Sequence, residues 1–204
     1  MKIADHDIGV CSWSLRVEGA ARLVEACRGA GVRHVHLDLG PWLGGSPEAR
    51  KTAVEYLQRE GLVVTAGMVS FPGENYTSIA SIRGSGGLVP DEPWPLRRQL
   101  AVDAGRLAAA CGIPAVSTHI GFIPSSADDR YGKLVERLAE LCREYAAEGV
   151  ALLMETGQER AVELLRFIND VRAENLAVNF DPANMILYGA GDPVEAVEVL
   201  GRHI

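Results

Sequence analysis

Two carboxylates in this sequence stand where a parallel sheet would aim them at a common point. Glu155 ends the apolar run Ala151 to Met154, and Asp181 follows the run Leu176 to Phe180. A short apolar run entered from Gly or Asn and left through Gly or Pro reads as a buried parallel strand. A residue at the C-terminal end of such a strand faces the rim where α/β proteins place their chemistry. Two carboxylates on neighbouring strand ends are the first donors a hard divalent cation takes. Glu155 has few structural alternatives, because burying an unpaired carboxylate is unfavourable; the chief one is an ion pair with Arg160. Asp181 precedes Pro182, and Asp-Pro is also an ordinary turn opener, so capping competes with ligation there.

The elements that must position these residues follow a repeating pattern of amphipathic helix, glycine and short β-rich run. Gly31 leads into Val35–Leu39, Gly61 into Val63–Met68, Gly112 into Ala115–His119, and Gly149 into Ala151–Met154. Glycine suits the left-handed position that ends a helix. With Ile8 to Trp13 in front and Leu176 to Phe180 behind, the sequence predicts six strands. Between them, Tyr131, Leu134, Val135, Leu138, Leu141, Cys142 and Tyr145 fall at helical spacing and form one apolar stripe. Gly191-Asp192-Pro193 reads as a helix start, with an N-cap followed by proline in the first turn. Strand and helix in alternation predict an α/β fold with a parallel sheet of right-handed βαβ units. The connection from Phe71 to Pro95 is far longer than the others. It lies on the same rim as Glu155 and Asp181, either covering a substrate or as a tolerated insertion.

Three segments together carry a family resemblance: Ser117-Thr118-His119-Ile120-Gly121-Phe122, Met154-Glu155-Thr156-Gly157-Gln158-Glu159, and Phe180-Asp181-Pro182-Ala183-Asn184 with Gly191-Asp192-Pro193 after it. In that order, at three successive strand ends, the chain resembles the xylose isomerase-like TIM barrels, in particular the sugar phosphate isomerase/epimerase group that also holds ketose 3-epimerases and endonuclease IV. The resemblance implies a divalent metal, Mn, Mg, Co or Zn, held by four strand-end residues: a Glu after strand five, an Asp after strand six, a His on strand seven and a Glu on strand eight. Glu155 and Asp181 match the first two. The sequence reaches Ile204 where strand seven is expected, and His203 precedes that strand, so it is not counted as a ligand. A (β/α)8 barrel takes about 250 residues. Residues 1–204 are therefore expected to form one incomplete TIM-barrel domain of about six βα units, lacking the last two. Truncation is the favoured account over completion by a partner or a repacked sheet, because two open edges invite association and the sequence shows no compensating edge protection.

The activity the resemblance implies is isomerisation or epimerisation of a sugar or sugar derivative: a proton is abstracted α to a carbonyl, through a metal-stabilised enediolate. Glu155 would serve as ligand and base, with His119, Asn184 and Gln158 as substrate-binding residues. Asn184 stands where several relatives carry a histidine, and an amide there suits a sugar hydroxyl better than a metal. With the strand-eight carboxylate missing, the 204 residues by themselves are expected to be inactive. Two other readings are a non-catalytic barrel-derived binding or assembly module, and an endonuclease IV-like zinc nuclease. The nuclease is disfavoured by five histidines and a net charge of -7, since nucleic acid calls for a basic face. His34 and His36 alternate on one strand and read as packing or polar-layer residues. Trp13 and Trp42 serve either as a sugar-facing wall or as core. The four cysteines contain no CxxC pair, which reads as reduced core thiols. No leader or membrane-length apolar run is evident. The expectation is a cytoplasmic protein with no nucleic-acid or membrane partner, forming a homo-oligomer if open edges associate.

Overall fold

The computed structural model describes residues 2–44 and 46–204. It opens with a small antiparallel hairpin, β1 (Lys2–Ile3) and β2 (His6–Asp7). The sequence pattern does not announce this hairpin, because two-residue strands are too short to show a period. Six parallel strands follow: β3 (Gly9–Cys11), β4 (His34–Asp38), β5 (Val63–Met68), β6 (Ala115–Thr118), β7 (Ala151–Glu155) and β8 (Leu176–Asn179). Each pairs with the next in chain order, which is the connectivity of an incomplete (β/α)8 barrel.

The helices are α1 (Ala20–Gly29), α2 (Pro47–Arg59), α3 (Ile79–Ser85), α4 (Trp94–Ala110), α5 (Asp129–Ala147), α6 (Ala161–Val171), α7 (Pro182–Tyr188) and α8 (Pro193–Leu200). Their starts are set by side-chain caps. Ser46 accepts from the Ala49 amide, Asp128 from Arg130 and Asp192 from Val194, satisfying amides that the first turn leaves free. Gly31, Gly61, Gly112 and Gly149 all take positive φ at the helix-to-strand turns, as their positions predicted. On α5 the buried residues are Leu134, Arg137, Leu138, Leu141, Cys142 and Tyr145. Each large apolar member contributes roughly 1.5–3 kcal/mol by leaving water.

The two faces of the sheet differ. Val35 and Leu37 on β4, Leu152 and Met154 on β7, and Leu176 and Val178 on β8 are buried on the face the helices cover. The alternate residues, His34, His36 and Asp38 on β4, Leu153 and Glu155 on β7, Ala177 and Asn179 on β8, are only partly buried. Among the described residues β3 and β8 each have a strand neighbour on one side only. No helix of the described residues is long and apolar enough to cross a membrane.

The long connection after β5 is built, not slack. It contains α3, and buried Arg97 of α4 holds it by donating to Gly87 O (2.5 Å) and Pro72 O (3.0 Å). Arg137 of α5 donates to Leu88 O and Val89 O, pairs with Asp91 and lies over the Trp94 ring. Backbone carbonyls outside a ladder need such partners. The connection is also stitched to the segment after β6 by Leu88 N donating to Ile120 O at 2.8 Å. Gly87 has φ +65, and a Cβ there would run into the Ile120–Gly121 backbone.

Candidate active site at the ends of β6, β7 and β8

Register places the site. Glu155 of β7 lies opposite Asn179 of β8, and Thr156 N donates to Asn179 O at 3.1 Å. The buried Thr156 hydroxyl then accepts from Asp181 N (2.7 Å) and donates to Asp181 O (3.2 Å). This clasp holds residue 181 beside residue 155. Thr156 has no reactive group and sequence reasoning passed over it; its only signal was its place directly after an acidic strand end. Gly157 lets α7 approach, since a Cβ there would lie 2.7 Å from Asn184 Cβ.

Burial pushes Glu155 up to about 7, with the neighbouring Asp181 carboxyl adding to the rise. No Glu155–Arg160 ion pair is found among the described residues; Arg160 instead begins α6. Asp181 does cap: its Oδ1 accepts from Ala183 N (2.8 Å) and Asn184 N (3.1 Å). Capping and a place beside Glu155 are thus held by the same residue.

Of the other three expected residues, two reach Glu155 and the third reaches one of those two. His119 Nε2 lies 3.3 Å from Glu155 Oε2, and Asn184 Nδ2 donates to Glu155 Oε1 at 3.2 Å. Gln158 Nε2 stands 3.5 Å from His119 Nδ1. Burial lowers the His119 pKa, opposed by the charges of Glu74 and Asp181, so near neutral pH the ring is uncharged. Gln158 faces Nδ1 and Glu155 faces Nε2, so the two ring nitrogens are addressed by different partners.

Among the described residues no group of three or more His, Cys, Asp or Glu is arranged to hold a metal ion. The Glu155–Asp181 pair nevertheless suits one: two neighbouring oxygen donors of like charge, with Glu155 held up in pKa first by burial and then by Asp181, are what a hard divalent cation relieves. Cys11 of β3 is close enough for both carboxylates to raise its pKa, after burial as the larger cause. His36 is a polar-layer residue, its Nε2 2.8 Å from Ser117 Oγ and 3.1 Å from Gly67 O. His34 stands on the same face, 3.9 Å from Asp7. Trp13 meets His36 edge-on, and together with Trp42 and Asp38 it lines a cavity of about 340 Å³.

A neighbouring carboxylate, Glu159, is 8% exposed and accepts from Ile123 N at 2.8 Å. Burial pushes it up to about 7 from 4.5. The folded state therefore keeps a proton that the unfolded chain releases. The stability this carries is present below about pH 4.5 and is lost as pH rises through 7, falling by about 1.4 kcal/mol for each pH unit crossed between those two values. Glu159→Gln is expected to flatten the fall in thermal midpoint between pH 5 and 8, measured by calorimetry. Equal slopes in variant and wild type would show that this carboxyl titrates normally.

Comparison with known proteins gives the family of the chain. The signature of the xylose isomerase-like TIM barrel family matches residues 24–204. A xylose isomerase domain protein from Planctomyces limnophilus is 36% identical and superposes with a TM-score of 0.84 over 89% of this chain and 66% of its own. The chain therefore belongs to the xylose isomerase-like TIM barrel family. D-psicose 3-epimerase from Clostridium cellulolyticum H10, solved with D-tagatose, shares 13% identity at a TM-score of 0.71, over 92% of this chain and 66% of its own. A xylose isomerase-like TIM barrel protein from Mycobacterium smegmatis, solved with magnesium, shares 17% at 0.70, over 93% and 66%. At these identities the last two show the fold alone. The chain spans 66% of the length of each of these structures. No curated protein matches the sequence.

Proposed function

We propose that the chain carries part of the active site of a divalent-metal-dependent sugar isomerase or epimerase. The observation that supports this reading is the Glu155–Asp181 pair on adjacent strand ends, with His119 and Asn184 both on the Glu155 carboxylate. Glu155 and Asp181 would hold the cation, which when bound polarises a substrate carbonyl as a Lewis acid. The remaining chemistry belongs to the chain. Glu155 is the carboxylate placed to take a proton from the carbon α to a carbonyl, a general-base role open to a metal-bound carboxylate. The Asn184 Nδ2 hydrogen bond on one oxygen of Glu155 and the His119 ring against the other fix its orientation. Gln158 stands against the other ring nitrogen of His119. Once substrate enters, the His119, Asn184 and Gln158 polar groups are available to sugar hydroxyls.

Proton return needs a second acid, and Asp181, the carboxyl beside Glu155, is already committed to the cation and to capping α7. The 204 residues by themselves are thus proposed to bind metal without turning over substrate. The test is a Mn²⁺ titration of the chain followed by EPR, expected to show one site that Asp181→Asn removes. A wild-type chain that takes up no Mn²⁺ sinks the metal reading. Turnover of any ketose, abolished by Glu155→Gln, would overturn the proposed inactivity.

A further inference from the structure

A sugar offers hydroxyls on its rim and C–H groups on its faces, and the residues on Glu155 answer only the hydroxyls. An exposed aromatic ring stands near these residues on the connection between β5 and α4. Tyr76 is 54% exposed, and its ring lies 6.3 Å from the His119 ring, tilted by 57°. Glu155 is near enough for its charge to act on the Tyr76 hydroxyl, so the ring stands at the same mouth.

Its support is what separates Tyr76 from an ordinary exposed aromatic. The Tyr76 hydroxyl donates to Glu74 Oε2 at 3.3 Å. Glu74 is itself held by Phe71 N (3.2 Å) on that oxygen and by Gly87 N (2.7 Å) on the other. Arg97, 2% exposed, grips the same segment at Pro72 O and Gly87 O. A buried arginine and a three-way carboxylate hold in place a ring that buries little of its own surface. With its hydroxyl already committed to Glu74, Tyr76 presents its ring face and not a donor.

We propose that Tyr76 is a specificity-determining residue, its ring forming the wall on which the C–H face of a hydroxylated substrate packs. Glu74 is the positioning residue that aims it. This inference rests on the sugar reading of the site. Arg83, also on this connection, lies over Phe122, which meets Tyr188 edge-on, so the same segment is tied to the loops after β6 and β8 that frame the mouth.

The experiment uses the 204-residue chain loaded with Mn²⁺ and titrated calorimetrically with D-fructose, D-tagatose and D-psicose as probes. Tyr76→Ala is expected to weaken the tightest of the three about tenfold, the scale of one aromatic face. Tyr76→Phe keeps the ring and is expected to stay within about twofold, and both variants should bind Mn²⁺ like the wild type. Wild-type affinity in Tyr76→Ala would overturn the wall while leaving the sugar reading standing. A Mn²⁺-loaded wild type that binds none of the probes would overturn both. Loss of sugar binding in Tyr76→Phe as well as in Tyr76→Ala would show that the hydroxyl, not the face, is what matters, and would also overturn the wall.

Discussion

Glu155→Gln is expected to abolish Mn²⁺ binding while leaving the metal-free protein at least as stable as the wild type. The reason lies in the opposed demands on this side chain. Its carboxylate is mostly buried, with 11% of the side chain exposed, beside Asp181. That surrounding disfavours its charge in the absence of a cation. Glutamine keeps the shape and still offers an oxygen to Asn184 Nδ2, while its amide takes the place of the oxygen facing His119 Nε2, which accepts from it once the neutral ring moves its proton to Nδ1. A ligand at a hundred times its dissociation constant stabilises by about 2.7 kcal/mol. In a domain of this size that shifts the thermal midpoint by roughly 5–10 °C. The wild type should show that shift with Mn²⁺ and the variant none. A variant that retains the shift would remove Glu155 from the metal site. One that is several kcal/mol less stable without metal would make the residue structural.

The second large effect is at Arg97. Arg97→Ala leaves Pro72 O and Gly87 O without their donor and opens a void beside Phe71, over whose ring the guanidinium lies at 5.7 Å. Stranding buried acceptors costs about 1–3 kcal/mol each, so a loss of the order of 4 kcal/mol is expected, a large part of the 5–15 kcal/mol that holds an ordinary domain. The thermal midpoint should fall by about 10 °C. Hydrogen exchange should show where the loss falls: the Gly87 amide on Glu74 and the Leu88 amide on Ile120 O lose protection before the strands do. Arg97→Lys should not rescue, because one ammonium does not reproduce a fork spanning two carbonyls. A lysine variant with the wild-type midpoint and wild-type exchange at Gly87 and Leu88 would show that the guanidinium geometry is unimportant.

Both predictions depend on contacts of different visibility in the amino-acid order. Glu155 could be picked out from its neighbours alone, because a carboxylate closing an apolar run has a local pattern. Arg97 could not. It sits in α4 among Leu96, Arg98 and Gln99, and nothing nearby says that this arginine turns inward while Arg98 reaches Glu140 and Glu144 at the surface. The connection after β5 was equally open to two readings, since its glycines and prolines report a loop without reporting what holds it. The structure shows a pinned segment containing a seven-residue helix. The short α7 was also hidden, because Asp181-Pro182 reads as a turn as easily as a helix start.

What the sequence determined by itself is what acts over a few residues. Apolar runs, helical spacing and glycine at each helix end fix the order of six strands and the helices between them, and they put Glu155 and Asp181 at strand ends. The tertiary structure alone decided which atoms meet there. His119 reaches Glu155 across 36 residues and the Thr156 hydroxyl clasps Asp181 across 25, while Tyr76 comes to His119 from a different connection. Such meetings arise from strand register and from buried groups needing partners, which are properties of the packed sheet and leave no period in the chain.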